Sequence, residues 1–172
     1  FHEWMHSWYQ MMLGTNESMY AWMDEGFTSY AEDLVSKFYN KKSSLQGLRE
    51  ALQRNPNNKN LAAMIDIVPE VFMEQLGYIV GAQVRDKILL EYYRQWRFKH
   101  PNATDLMRVA EQVSGIQLDW YKMYWVNTTK TIDYKIDSLW EEGGVTKIRL
   151  KRIGHMPMPI DLQLTYTDGS TE

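Results

Sequence analysis

The chain has 172 residues, of which 44% are hydrophobic and 24% are charged, as is typical of a folded globular protein that can bury a core. Its net charge of −3 gives no electrostatic reason to expect nucleic acid or an acidic membrane as a partner. No apolar run reaches the roughly 18 residues that cross a bilayer, and the absence of cysteine excludes a structural metal site built from thiolates.

The first predicted element is a helix over residues 1–12 that carries the pentapeptide His2-Glu3-Trp4-Met5-His6. Residues four apart lie on the same face of a helix, so the imidazoles of His2 and His6 can point at one metal ion. Glu3 lies one residue from His2, where its carboxylate can reach a water on the metal without binding the metal itself. This is the H-E-x-x-H arrangement of zinc-dependent peptide hydrolysis. The same pattern also occurs on ordinary helices that carry two partly buried histidines and a surface glutamate.

After a polar loop, a second helix is predicted at about 21–40, and it contains Glu25. If this helix returns antiparallel to the first, Glu25 reaches the two histidines. Two histidines and one carboxylate leave a fourth position for water, as in a catalytic rather than a structural zinc site. We therefore expect one Zn²⁺ ion bound by His2, His6 and Glu25. Glu3 would then act as the general base.

The spacing of these residues resembles one family of zinc peptidases, the M1 metallopeptidases or aminopeptidase-N-like gluzincins. In that family an H-E-x-x-H helix is followed, after 18 residues, by a glutamate within a W-x-x-E-G-F phrase. The chain has this spacing and the phrase Trp22-Met23-Asp24-Glu25-Gly26-Phe27. The later stretches 74–81 and 92–101 also resemble bacterial members of the Bacteroidetes type. The resemblance covers most of the chain and implies a mainly α fold, with a thermolysin-like helical catalytic domain followed by a β-sandwich.

The resemblance also implies a role for several further residues. In the family, a glutamate beyond the third ligand accepts a hydrogen bond from a zinc-binding histidine, and the matching residue is Glu32. The alternative for Glu32 is a solvated carboxylate on the helix surface. The family's oxyanion-stabilising tyrosine lies in a Y-x-K-G phrase, and its expected position holds Asp66. Either another tyrosine takes this role, or a segment is missing, or the oxyanion is weakly stabilised.

The function implied by the resemblance is that of a zinc aminopeptidase that removes N-terminal residues from peptides, with an extracytoplasmic location. The family's G-x-M-E-N motif, which holds the free amine of the substrate, is absent from these residues. Two alternatives therefore stay open. One is a non-catalytic relative that keeps the fold and serves in binding or assembly, and the other is an endopeptidase gluzincin with the same ligands.

The rest of the chain is predicted to be helical and then to form strands. Further helices are expected at 43–54, from Pro69 onward, at 83–96, from Asn102 to Gly115 with Asn102 and Asp105 at its start, and from Leu118 to Val126. Strands are expected at Ile132–Leu139, Val145–Ile153 and Ile160–Thr167, with Gly143-Gly144 and Asp168-Gly169 at turns. His100 and His155 are expected to be surface or packing residues, because Glu25 already completes the ligand set.

These patterns predict two regions. Residues 1–129 would form the helical zinc-peptidase catalytic region, and residues 130–172 would form the beginning of a β-sandwich. Because the chain starts one residue before its first expected ligand, we expect it to be a fragment that is incomplete at its N-terminus.

Overall fold

A computed structural model of the chain describes the backbone of residues 1–40 and 61–172, and the side chains of 1–40 and 71–172. The described residues form two compact units, Phe1–Lys122 and Met123–Glu172. The expected boundary after residue 129 therefore lies within the second unit. The helix expected at 43–54 and the asparagine-rich loop after it lie outside the described residues.

The described part is mainly helical, as expected. The helices are α1 (His2–Met5), which continues as a π-helical turn (His6–Gln10), α2 (Glu17–Asn40), α3 (Leu61–Val80), α4 (Ala82–Trp96), α5 (Ala103–Ser114) and α6 (Asp119–Asn127). Within the described ranges, no helix is both long and apolar enough to cross a membrane.

Aromatic side chains hold α2, α3, α4 and α6 together. The ring of Phe72 in α3 lies 5.5 Å from that of Trp22 and 4.8 Å from that of Tyr121. The ring of Phe27 lies 6.1 Å from that of Tyr92 in α4. The buried hydroxyl of Tyr121 donates a hydrogen bond of 2.6 Å to the carbonyl oxygen of Phe72. Since these rings bury large apolar surfaces, they fix the helix that carries Glu25 in the core of the first unit.

The start of α3 differs from the expectation. Pro69 was expected in the first turn of a helix, but α3 already includes Leu61, so the proline lies inside the helix. A proline there removes one backbone hydrogen bond and crowds the preceding turn. Leucine, alanine and methionine at 61–64 favour helix strongly, and this preference extends the helix ahead of the proline.

The second unit contains an antiparallel hairpin of β1 (Tyr134–Glu142) and β2 (Val145–Arg152). Both residues of the connecting turn, Gly143 and Gly144, have positive φ angles of 64° and 75°. This backbone conformation suits the two-residue turns of hairpins, and glycine adopts it without strain. The two strands and the turn between them agree with the prediction.

The prediction of a third strand at Ile160–Thr167 is wrong. Within the described residues this segment forms only an isolated bridge between Thr165 and Thr171. Leu164 exchanges two backbone hydrogen bonds with Glu172 across the Asp168-Gly169 turn, so the segment folds back on the residues after it. The turn was expected, but the alternating pattern did not say which chain segment it would pair with. The described residues thus show a two-stranded sheet, and the β-sandwich stays a prediction.

Candidate metal centre

The two histidines of the H-E-x-x-H sequence point their side chains at each other. His2 begins α1 and His6 begins the π-helical turn. Their Nε2 atoms are 3.1 Å apart, and their rings are nearly perpendicular, with centroids separated by 4.8 Å. A π-helical turn holds one residue more than an α-helical turn, and such turns are frequent at functional sites.

Glu25 of α2 completes a triangle of possible ligand atoms. Its Oε2 atom lies 3.2 Å from Nε2 of His2 and 3.2 Å from Nε2 of His6. Four ligands at tetrahedral zinc, each 2.0–2.1 Å from the ion, lie about 3.3 Å from one another. The sides of the triangle are close to that value, so the three residues together fit a single ion of this size.

The other ring nitrogen of each histidine has a partner of its own. The Nδ1–H of His2 donates to Oε2 of Glu32 over 3.1 Å. Nδ1 of His6 lies 3.4 Å from the hydroxyl of Thr28 and 3.7 Å from a carboxylate oxygen of Asp24. Since the Thr28 hydroxyl donates to the backbone carbonyl of Asp24 over 2.8 Å, its oxygen accepts from His6. These contacts favour the tautomer in which each histidine carries its proton on Nδ1 and keeps the Nε2 lone pair for a metal.

This arrangement gives the centre of the triangle a negative electrostatic potential. When both imidazole protons lie on Nδ1, two lone pairs and one carboxylate oxygen converge, and either a metal ion or a proton shared with Glu25 relieves their repulsion. Burial lowers the pKa of His2, but hydrogen bonds and charge attraction from Glu25 and Glu32 outweigh burial and raise that pKa. Burial also raises the pKa of Asp24, against the opposing effect of nearby His6.

Glu3, the expected general base, is exposed. It lines an open cleft of about 760 Å³ together with His6 and Glu25. A cleft of this volume is within the range that holds small ligands and short peptides. The structure therefore places Glu3 and two of the three possible ligands, His6 and Glu25, around one open cleft.

Two side chains around the triangle were missed from the sequence. Asp24 and Thr28 are both buried in α2, four residues apart, on the face that meets His6. The i, i+4 spacing of Asp24 and Thr28, on either side of Glu25, was a signal that the two share a helix face. Their approach to His6 depends on the angle between two helices, which the sequence does not state.

The remaining sequence candidates lie outside the triangle. His100 lines the cleft, where its Nδ1–H donates to the carbonyl oxygen of Gly14 over 2.8 Å. His155 is an exposed residue of the second unit. Asp66, at the position expected for the oxyanion tyrosine, belongs to the part of α3 whose side chains the structure does not describe.

The chain has no significant match among protein-family models, curated proteins or solved structures. Membership of the M1 family therefore stays a prediction, carried by the residues and spacing of the sequence. The distances between the named atoms of the triangle are a separate basis for proposing a metal-binding role, since they do not depend on that resemblance.

Proposed function

We propose that the protein is a zinc-dependent peptidase of the M1 type that acts as an aminopeptidase. One observation carries the proposal, namely the convergence of Nε2 of His2, Nε2 of His6 and Oε2 of Glu25 within 3.1–3.2 Å of one another. Structural zinc sites use four protein ligands, whereas catalytic sites use three and leave one position open. Three ligands beside an accessible cleft favour catalysis.

Each side chain at the site has a distinct task in this proposal. Bound zinc would supply Lewis acidity, which polarises a peptide carbonyl and makes water more acidic. Glu3 takes a proton from the attacking water and returns it to the leaving amine. Glu32 and Thr28 hold the two imidazoles in the orientation and tautomer that present Nε2 to the ion.

The first test measures metal content after purification without added zinc. We expect about one zinc ion per chain, because the three ligands form one site. The ion should be lost in a His6→Ala variant, which removes one corner of the triangle, and kept in a matched His155→Ala variant. A chain that binds no divalent ion would refute the proposal.

The second test separates catalysis from metal binding. A Glu3→Gln variant should keep its zinc but lose turnover of an aminoacyl reporter by at least about a hundredfold, because general acid–base catalysis contributes about that much. The control is Glu141→Gln, an exposed glutamate of the second unit, which should retain activity. Full zinc occupancy with no activity in the unmodified chain would instead support a non-catalytic metal-binding protein, which the aspartate at position 66 favours.

The third test concerns the position of the cleaved bond. An aminopeptidase cleaves peptides with a free N-terminal amine and leaves their N-acetylated forms intact. Equal cleavage of both forms would replace the aminopeptidase proposal with that of an endopeptidase that uses the same ligands.

A further inference from the structure

The end of the ligand-bearing helix is held by contacts from α4 and the chain after it. The hydroxyl of Tyr93 donates to the sulfur of Met12 over 3.1 Å. The backbone N–H of Phe98 donates to the carbonyl oxygen of Met12. The Nδ1–H of His100 donates to the carbonyl oxygen of Gly14 over 2.8 Å. We call Tyr93, Phe98 and His100 the clamp.

The backbone conformation of the clamp is unusual for its residue types. Phe98 has a φ of 62°, which side chains other than glycine rarely adopt. Its side chain is 75% exposed, so burial of the ring does not compensate for the strained backbone. This conformation directs the backbone N–H of Phe98 at the carbonyl oxygen of Met12. A strained residue persists only where its surroundings hold it in place, as these contacts do.

The contact of His100 with Gly14 is closely fitted. A Cβ atom added to Gly14 would lie 3.0 Å from Nδ1 and 3.3 Å from Cε1 of the His100 ring, so the approach depends on glycine. A carbonyl oxygen can only accept, which places the ring proton on Nδ1. Both residues line the cleft that Glu3, His6 and Glu25 also line.

The clamp matters because the chain between the ligands is not one continuous helix. Gly14 lies in the loop that joins the segment of His2 and His6 to α2, which carries Glu25. After that loop, α2 is interrupted at Tyr20, whose φ of −132° and ψ of 46° are not helical. The helical backbone conformation is therefore interrupted twice between the histidines and Glu25, and contacts from α4 and the chain after it support this connection.

We propose that His100 is a positioning residue of the metal centre. Through Gly14 it holds the connection between the ligand-bearing segments, so that His2, His6 and Glu25 keep the spacing that one ion requires. It binds neither metal nor substrate in this role. The inference rests on the proposed function in one respect, since it requires the triangle to bind a metal ion.

The test measures metal affinity in the full chain by competition with a chromophoric chelator, first with Zn²⁺ and then with Co²⁺. His100→Ala and His100→Gln should each weaken binding about tenfold, the lower end of the effect of losing groups that orient metal ligands. His100→Asn should restore affinity, because its amide N–H occupies nearly the place of Nδ1, while glutamine carries the amide one methylene further. The control His155→Ala should match the unmodified chain.

The Co²⁺ absorption spectrum separates positioning from ordinary stability. A positioning role predicts a changed spectrum in His100→Gln and an unchanged one in His100→Asn. If the variants differ only in the melting temperature of the metal-free protein, or if asparagine fails to restore affinity, the positioning role is overturned while the zinc site stands. If the unmodified chain binds no ion, both proposals fail. The comparison of asparagine with glutamine remains decisive even if the alanine variant does not fold.

Discussion

At the scale of single residues, the candidate site is organised by where two protons are held. His2 gives its Nδ1–H to Glu32, and His6 gives its Nδ1–H to Thr28, so the lone pairs on both Nε2 atoms face Glu25. A free imidazole exchanges its proton between the two ring nitrogens. A hydrogen-bond partner that holds the proton on Nδ1 keeps it away from Nε2, the atom that would bind the metal. Such partners raise the metal affinity of histidines in this way.

The variant Glu32→Gln tests the first of these contacts. The introduced amide could still accept a hydrogen bond, but it would lack the negative charge that strengthens the bond to His2. We expect metal affinity to fall about tenfold, as measured by chelator competition. Glu141→Gln is the matched control. Unchanged affinity would mean that Glu32 is only a solvated carboxylate.

Replacing Thr28 with valine tests the second contact. Valine keeps the shape of threonine but lacks the oxygen that accepts from His6, and Thr28 is fully buried. We expect about a tenfold loss of metal affinity and a decrease of about 1 kcal/mol in the free energy of unfolding. Thr28→Ser keeps the hydroxyl and should retain affinity. Similar losses in both variants would count against a role for the hydroxyl and point to packing instead.

At this scale, the sequence predicted the residues that the structure brings together. The prediction of the two histidines depends on their four-residue spacing, because residues four apart share a face of a helix. The prediction of Glu25 depends on its position on a second helix that returns to the first. Asp24 and Thr28 were not predicted. Their approach to His6 is a tertiary contact, and a buried aspartate or threonine on a helix has many other possible partners.

At the scale of elements, the site depends on how helices end and where the next ones begin. The loop before α5 is fixed by a capping box in which the side chain of Asn102 accepts from the N–H groups of Thr104 and Asp105, while Asp105 accepts from Asn102. This loop follows directly after His100. The cap therefore stabilises the chain segment that carries the clamp.

Asn102→Ala should remove two hydrogen bonds to the first turn of α5. We expect the free energy of unfolding to fall by about 1 kcal/mol in urea denaturation. Asn102→Asp, which also caps well, should lose little. If alanine were as stable as asparagine, the cap would contribute nothing measurable to this helix end.

The cap and the end of α5 were predictable, since Asn102, Asp105 and Gly115 form a local signal over a few residues. Gly115 has a φ of 70°, the left-handed conformation that ends many helices. The predicted start of α3 and the predicted third strand were wrong, because both features depend on more than the local sequence pattern. A proline can occupy an interior position of a helix when its neighbours favour helix. Alternation of apolar and polar residues does not show which segment a strand pairs with.

At the scale of the whole molecule, an ion bound by α1, the π-helical turn and α2 would couple the stability of the first unit to metal concentration. His2 and His6 lie on one short helical segment, but Glu25 lies on α2, 19 residues after His6, and an unfolded chain does not hold the three together. Binding to the folded form alone stabilises it by about 4 kcal/mol when the free ion is a thousandfold above its dissociation constant.

We therefore expect added Zn²⁺ to raise the melting temperature of the chain, and a chelator to reverse the increase. Mg²⁺ should have little effect, because it prefers oxygen ligands and retains its water. In His6→Ala the effect of Zn²⁺ should disappear. An equal increase in that variant would show that the ion acts elsewhere on the molecule.

The π-helical turn at His6–Gln10 has a consequence for how this helix tolerates change. The extra residue is taken up within one wider turn, so the helix before it and the helix after it keep nearly the same rotational phase. Deleting one residue there should restore a regular α-helix in which His2 and His6 keep their direction relative to Gly14, and zinc binding should survive. A residue inserted into regular α-helix would instead rotate the two histidines by about 100° relative to Gly14, and zinc binding should be lost.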